Sequence, residues 1–222
     1  MDSPLQQNYF DGNPKIAMEK AQTELEKAIH TYLASVKALC PKVMPSELDY
    51  MRSVLTVSEL KPRQYYIQAN TVQKEVGFVF TGLLRAFYID KNGGEITVNF
   101  IRENSYATHY SAFITQTLSK YDFQCIEPSI IVSLSFNAIQ EGYNRFPGLE
   151  RYGRLIAEEV LKIQQRRIER FLFDNAETRY LDFIKENPDL FNRVSLSHLS
   201  SYLGIERQSL TRIRKKLAGN AF

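Results

Sequence analysis

The chain has 222 residues, 44% hydrophobic and 24% charged, with a formal net charge of +3. That suffices for one large or two small buried cores in an ordinary globular protein. Two cysteines far apart in sequence, Cys40 and Cys125, offer neither a disulfide scaffold nor an iron–sulfur ligand set and fit a reduced, cytoplasmic setting. No apolar run reaches the roughly 18–20 residues that span a bilayer. The opening MDSPLQQNYFDGN lacks the basic start and apolar middle of a signal peptide.

Residues 1–44 read as a loose arm followed by a helix. Met18, Ala21, Leu25, Ile29, Tyr32 and Val36 step by three and four, until Pro41 and Pro45 break the pattern. PSELDYMRSVL then reads as a short helix, with Ser46 ahead of its first acidic residues. Between about residues 64 and 136 the texture turns to β. YYIQ, VGFVFTG, LLRAFYID, EITVNFI, YDFQCI and IIVSLSF are short runs rich in β-branched and aromatic residues. Asn92-Gly93 between two of them is a strong hairpin signal. The fold class predicted is therefore α+β, with an antiparallel β-roll over residues 45–146.

Inside that roll, ENSYATHYSAFITQTLSK lacks strand alternation. It reads either as a ligand loop or as a short helix plus loop closing the open end of the roll. Glu103, Tyr106, Tyr110, Phe113 and Lys120 within it and Phe123 beyond it are candidate ligand-pocket residues; the four aromatics suit an aromatic or apolar small molecule and equally fit a packed core.

A long helix is predicted over residues 147–173. Tyr152, Ile156, Val160 and Ile163 form one seam, which either meets a second copy of the chain or packs on the roll. A further helix over about residues 176–186 precedes Pro188 and opens a small helical domain, residues 174–222. The stretch SLSHLSSYLGIERQSLTRIRKKLAG reads there as a helix–turn–helix. Leu196 to Leu203 form its first helix, Gly204 the positive-φ turn, and Glu206 to Leu217 the second helix. Leu210, Ile213 and Leu217 share a buried stripe, which leaves Gln208, Thr211, Arg212 and Lys215 on the opposite face, with Arg207 near the N-terminus. Residues 1–147 carry 14 basic and 15 acidic side chains, and residues 148–222 carry 14 and 10. The positive charge thus sits where a phosphate backbone would be met.

Catalysis is not expected. Metal-dependent chemistry on a cupin-like roll needs clustered histidines, whereas His30, His109 and His198 are scattered over a helix, a loop and the helix–turn–helix. No GxxxxGK[ST] loop and no nucleophile elbow occurs. No cofactor is implied.

Three motifs resemble the Crp/Fnr superfamily of bacterial transcription regulators. They are GFVFTGLLRAFYIDKNGGE for the cyclic-nucleotide-binding-type roll, GLERYGRLIAEEVLKIQQRRIERF for the long helix, and SYLGIERQSLTRIRKKL for the recognition helix. The resemblance covers roughly residues 45–217. It implies a homodimer whose recognition helices enter successive major grooves of a pseudo-palindromic DNA site. Arg207, Gln208 and Arg212 fall at the base-reading positions; Gln208 stands where Glu is frequent and favours adenine. Ser209, Thr211, Lys215 and Lys216 are candidates for phosphate contacts. Implied partners are duplex DNA, a second copy of the chain, an unidentified small-molecule effector and RNA polymerase.

Two departures from the family pattern matter. Cyclic-AMP-binding members carry a Gly-Glu pair and then an Arg-Ser pair; this chain has Glu103-Asn104-Ser105 and Ser119-Lys120. One displaced lysine does not replace a bidentate arginine, so tight cyclic-AMP binding is not expected. Only about residues 187–193 are available for a β-hairpin wing, so wing contacts to DNA are expected to be reduced. A sensory or scaffold protein that has lost DNA binding is the alternative reading.

Overall fold

The computed structural model describes residues 14–219; the predicted N-terminal arm lies outside them. Helix α1 (Pro14–Leu39) leads to α2 (Pro45–Val54). Eight strands follow: β1 (Thr56–Leu60), β2 (Tyr65–Ile67), β3 (Glu75–Thr81), β4 (Leu84–Ile89), β5 (Glu95–Ile101), β6 (Tyr106–Ala107), β7 (Asp122–Cys125) and β8 (Ser129–Ser135), with α3 (Tyr110–Thr115) between β6 and β7. Then come α4 (Phe136–Arg145), α5 (Pro147–Phe173), α6 (Ala176–Glu186), a 3-10 turn (Leu190–Asn192), α7 (Leu196–Leu203) and α8 (Arg207–Gly219).

The strands form two antiparallel four-stranded sheets, ordered β1-β8-β3-β6 and β2-β7-β4-β5. Val79, Leu84, Ala86, Phe123, Cys125 and Ile131 fill the space between them. Alternation puts the next residues, Arg85 and Phe87, on the other face of β4. The β4–β5 hairpin closes at Asp90–Gly94, where Asp90 Oδ1 accepts from the Asn92 and Gly94 amides at 2.8 Å and Gly93 takes φ +80°.

The first sheet's outer face is covered by helices. Ala28, Tyr32 and Val36 of α1 share a core with Phe78, Val132, Leu134, Leu149 and Tyr152. The sequence boundary at residues 44/45 is therefore crossed by packing, because α1 supplies the apolar layer that one face of the sheet lacks. Glu47, nearly buried, ties α2 to α5: it accepts from the Met44 amide at 2.7 Å and the Gly148 amide at 2.9 Å. Its carboxylate satisfies two backbone donors at helix starts. The segment after Ile101 forms β6 and α3, the helix-plus-loop alternative.

Candidate DNA interface and effector clefts

Helix α7 runs from an N-cap at Ser195, whose hydroxyl accepts from the His198 amide, to Gly204 at φ +61°. A Cβ on Gly204 would lie 2.8 Å from the Phe171 ring, so both backbone and space demand glycine. Leu199, Leu203, Ile205 and Leu210 are buried beneath the turn. Helix α8 thus turns its apolar side inward and leaves Arg207, Gln208, Arg212 and Lys215 exposed.

Among these, the Arg212 guanidinium donates to Ser209 Oγ at 3.1 Å, and Thr211 Oγ1 donates back to the Arg207 carbonyl at 3.0 Å. Arg207, Arg212 and Lys215 form no ion pair among the described residues. Lys216 differs: its Nζ pairs with Glu177 of α6 at 2.9 Å. No strand lies C-terminal to Ser135 among the described residues, so no β-hairpin wing flanks the recognition helix there.

The helix–turn–helix docks on the second sheet. Phe100 meets Tyr202 and Phe183 at ring-centroid distances of 5.2 and 6.3 Å. Ser201 Oγ accepts from the Thr97 amide at 2.8 Å and donates to the Glu95 carbonyl at 3.2 Å. Beside this seam Arg85, only 2% exposed, pairs with Glu95 and lies 4.0 Å over the Phe87 ring. Burial, then the Arg85 charge, pulls the His198 imidazole below its ordinary value, with Glu95 opposing. Arg193, just ahead of α7, donates to Glu103 at 2.8 Å, to Glu127 at 2.7 Å and, at 3.5 Å, to Asp189.

That last cluster relocates Glu103. It accepts from the Gly82 amide at 3.0 Å and faces Arg193. Burial pushes its carboxyl up, but hydrogen bonds from Arg193 and backbone amides outweigh this and hold it below the ordinary value. Lys120 likewise lies away from the aromatic candidates, on an outer groove with Tyr88 and Ile89. Glu103 is thus engaged by Arg193 rather than by a cavity, and Lys120, outside both aromatic cavities, stands beside His109.

The aromatic candidates separate as well. Tyr106, Tyr110 and Phe113 border a small apolar cavity of about 70 Å³ under α4 and α5. Tyr106, Tyr110 and Phe123 border a cleft of about 400 Å³ between the second sheet and α5. Its lining contains no arginine, lysine or carboxylate among the described residues. His109, on its rim, is pulled below its ordinary value by burial and then by the Lys120 charge. A neutral cleft of this kind gives a cyclic phosphate no counter-charge.

The seam predicted along α5 meets different surroundings along its length. Tyr152 is buried and hydrogen-bonded to Tyr106, and Ile156 packs on the same core. Val160 lines the neutral cleft, and Ile163 lines a second cleft nearer α6. The N-terminal part of that seam packs on the chain itself, whereas Ile163 is 59% exposed. Leu161, Ile168 and Leu172 are exposed as well, at 66%, 59% and 71%; seven and four residues apart, they share one side of the helix, and Leu161 also borders the neutral cleft.

Among the described residues, no three His, Cys, Asp or Glu side chains converge to hold a metal ion. His30 sits on α1, His109 before α3 and His198 in α7. No described helix is long and apolar enough to cross a membrane.

No protein-family model and no curated protein sequence matches the chain. Solved structures do. The chain is similar to the c-di-GMP-responsive global regulator CLP of Xanthomonas campestris, at 13% identity over 80% of this chain and 93% of that one, with a TM-score of 0.64. FixK2 from Bradyrhizobium japonicum matches at 14% identity over 76% and 86% of the two chains, with a TM-score of 0.66. A regulator assigned to the Crp/Fnr family from Eubacterium rectale matches at 13% identity over 81% and 86%, with a TM-score of 0.62. At such identities the likeness is one of architecture: the chain has the fold of the Crp/Fnr transcription regulators, a cyclic-nucleotide-binding-type roll followed by a helical C-terminal domain.

Proposed function

We propose that this protein is a dimeric, sequence-specific DNA-binding transcription regulator of the cytoplasm. The observation that carries the reading is α8: its inner side is packed, and its outer side presents Gln208 together with Arg207, Arg212 and Lys215, which form no ion pair among the described residues. Arg207 and Arg212 suit guanine edges through two hydrogen bonds each, and Gln208 suits adenine. Ser209, Thr211 and Lys215 are placed to meet phosphates; Lys216 would first have to leave Glu177. Two copies joined along α5, at Leu161, Ile168 and Leu172, would present two such helices about 34 Å apart along a duplex. The effector is a small molecule other than cyclic AMP, because Ser119-Lys120 does not replace the bidentate arginine with which cyclic-AMP-binding members grip the cyclic phosphate. RNA polymerase is the protein partner such a regulator would engage.

Fluorescence anisotropy with labelled genomic fragments tests the reading. Specific binding should exceed binding to random duplex by at least about a thousandfold at physiological salt. It should also weaken steeply as salt rises, through counterion release. The missing wing favours a second reading, a sensory or scaffold protein without DNA binding. Weak binding of equal strength to every duplex would support it.

A further inference from the structure

A second group of cations without ion pairs among the described residues lies away from α8. A cleft of about 520 Å³ opens between β5, the C-terminal half of α5, α6 and α7. Arg102, Arg166, Arg167, Arg170 and Arg179 line it, against Glu186 as the sole carboxylate of the described lining. Arg170 is matched by Glu186 and Arg102 by Asp189. Arg166, Arg167 and Arg179 form no ion pair among the described residues.

Two of these three are held rigidly in place. Arg167 donates to the Tyr202 carbonyl at 3.2 Å and lies 4.3 Å over the Tyr202 ring. Arg179 donates to the Leu203 and Asp174 carbonyls at 3.0 and 2.6 Å and lies 5.2 Å over the Phe171 ring. Burial pulls Arg167 below its ordinary value. Withdrawing cations from water with no anion beside them is unfavourable, and pre-oriented guanidiniums are good receptors for phosphate. The cleft also shares Val98, Asn99 and Gln164 with the neutral aromatic cleft beside it. A cationic compartment therefore adjoins an aromatic one.

We infer that the paired clefts bind a nucleoside polyphosphate, with its phosphates on Arg166, Arg167 and Arg179 and its ring system in the aromatic compartment. The size suits such a ligand. A molecule seated there touches the roll, the long helix and the helix–turn–helix at once. It can shift their arrangement to the extent that it prefers one of them.

Calorimetry on the full chain, without DNA, tests the inference and does not depend on the proposed DNA binding. ATP, GTP, inorganic pyrophosphate and adenosine are titrated separately. Saturable binding of at least one triphosphate is expected, with pyrophosphate at least tenfold weaker and adenosine undetectable. Arg166→Gln should weaken the triphosphate at least tenfold without lowering the melting temperature. Arg151→Gln, on the same helix outside the cleft, should leave binding unchanged. Absence of saturable binding by both triphosphates at millimolar concentration overturns the inference, as does equal affinity in the Arg166→Gln protein. If neither triphosphate binds while Arg166→Gln weakens a labelled duplex, the cleft is a DNA backbone contact and the inference is likewise overturned.

Discussion

Arg193 and Glu103 stand ninety residues apart in sequence, yet the Arg193 guanidinium donates to both oxygens of the Glu103 carboxylate, at 2.8 and 3.0 Å. Glu127 receives from the same guanidinium. This fork fastens the segment ahead of the helix–turn–helix to two loops of the roll. Arg193→Ala should destabilise the protein by about 1.5–3 kcal/mol, as expected when a charged hydrogen-bond partner is lost. Urea unfolding checks the size of the effect. Hydrogen exchange should show α7 losing protection before the strands do.

The Gly204 turn is tested through its backbone. Gly204→Ala should cost about 1–2 kcal/mol from left-handed strain alone, and the Phe171 ring must also shift. Thermal melting should register the loss. Gly204→Asn should lose less than Gly204→Ala if strain dominates, since asparagine tolerates this conformation.

On α8 the base-reading and phosphate roles separate by their pattern of loss. Arg212→Ala should cost about 1–3 kcal/mol of DNA affinity and relax preference at one base position. Lys215→Ala should weaken all duplexes alike and reduce the salt slope by about one. Anisotropy titrations against a panel of single-base variants distinguish the two. Uniform loss for Arg212→Ala would move it to the phosphate class.

Self-association through α5 predicts that Leu161→Glu converts the protein to a monomer, as read by analytical ultracentrifugation. A charge within an apolar seam is left unpaired by the partner helix. Tyr152→Phe should leave the oligomeric state unchanged, because Tyr152 is buried within its own chain.

His198 gives the fold an acid-sensitive contact. Its value is depressed in the folded chain, first by burial and then by Arg85. The unfolded chain therefore binds the proton more readily, and stability falls as pH drops below about 6.5 toward the folded value. His198→Asn should flatten the melting temperature between pH 7.5 and 5.5. An unchanged slope would assign the acid sensitivity elsewhere.

Much of this architecture is legible in local pattern. The α7 limits and the Gly204 turn follow from apolar spacing around a glycine, and α5 and α6 from periodicity bounded by Pro147 and Pro188. The β-region is legible as strands, although β1 (TVSEL) and the two-residue β6 are too short or too polar to stand out. What escapes the sequence depends on contacts between distant residues. Arg85 in the run LLRAFYID gives no sign that a helix more than a hundred residues later will bury it. Tyr152 fits a dimer seam and a tyrosine cluster equally well until the partner ring, Tyr106, is placed. The arginine cleft gathers residues from four elements, and no window of sequence contains it.

The clasp between Ser201 and strand β5 has a consequence for solubility. β5 is the last strand of its sheet, and such an edge presents unpaired amides and carbonyls that invite another chain to add on. In this protein the helix–turn–helix is the edge guard: the Ser201 hydroxyl occupies the Thr97 amide and the Glu95 carbonyl that an incoming strand would use. A chain cut before α7 would keep its roll but expose that edge, and would be prone to join others like it. Any motion that swings the helix–turn–helix fully clear of the roll opens the same edge, so only movements small enough to keep it covered avoid that exposure.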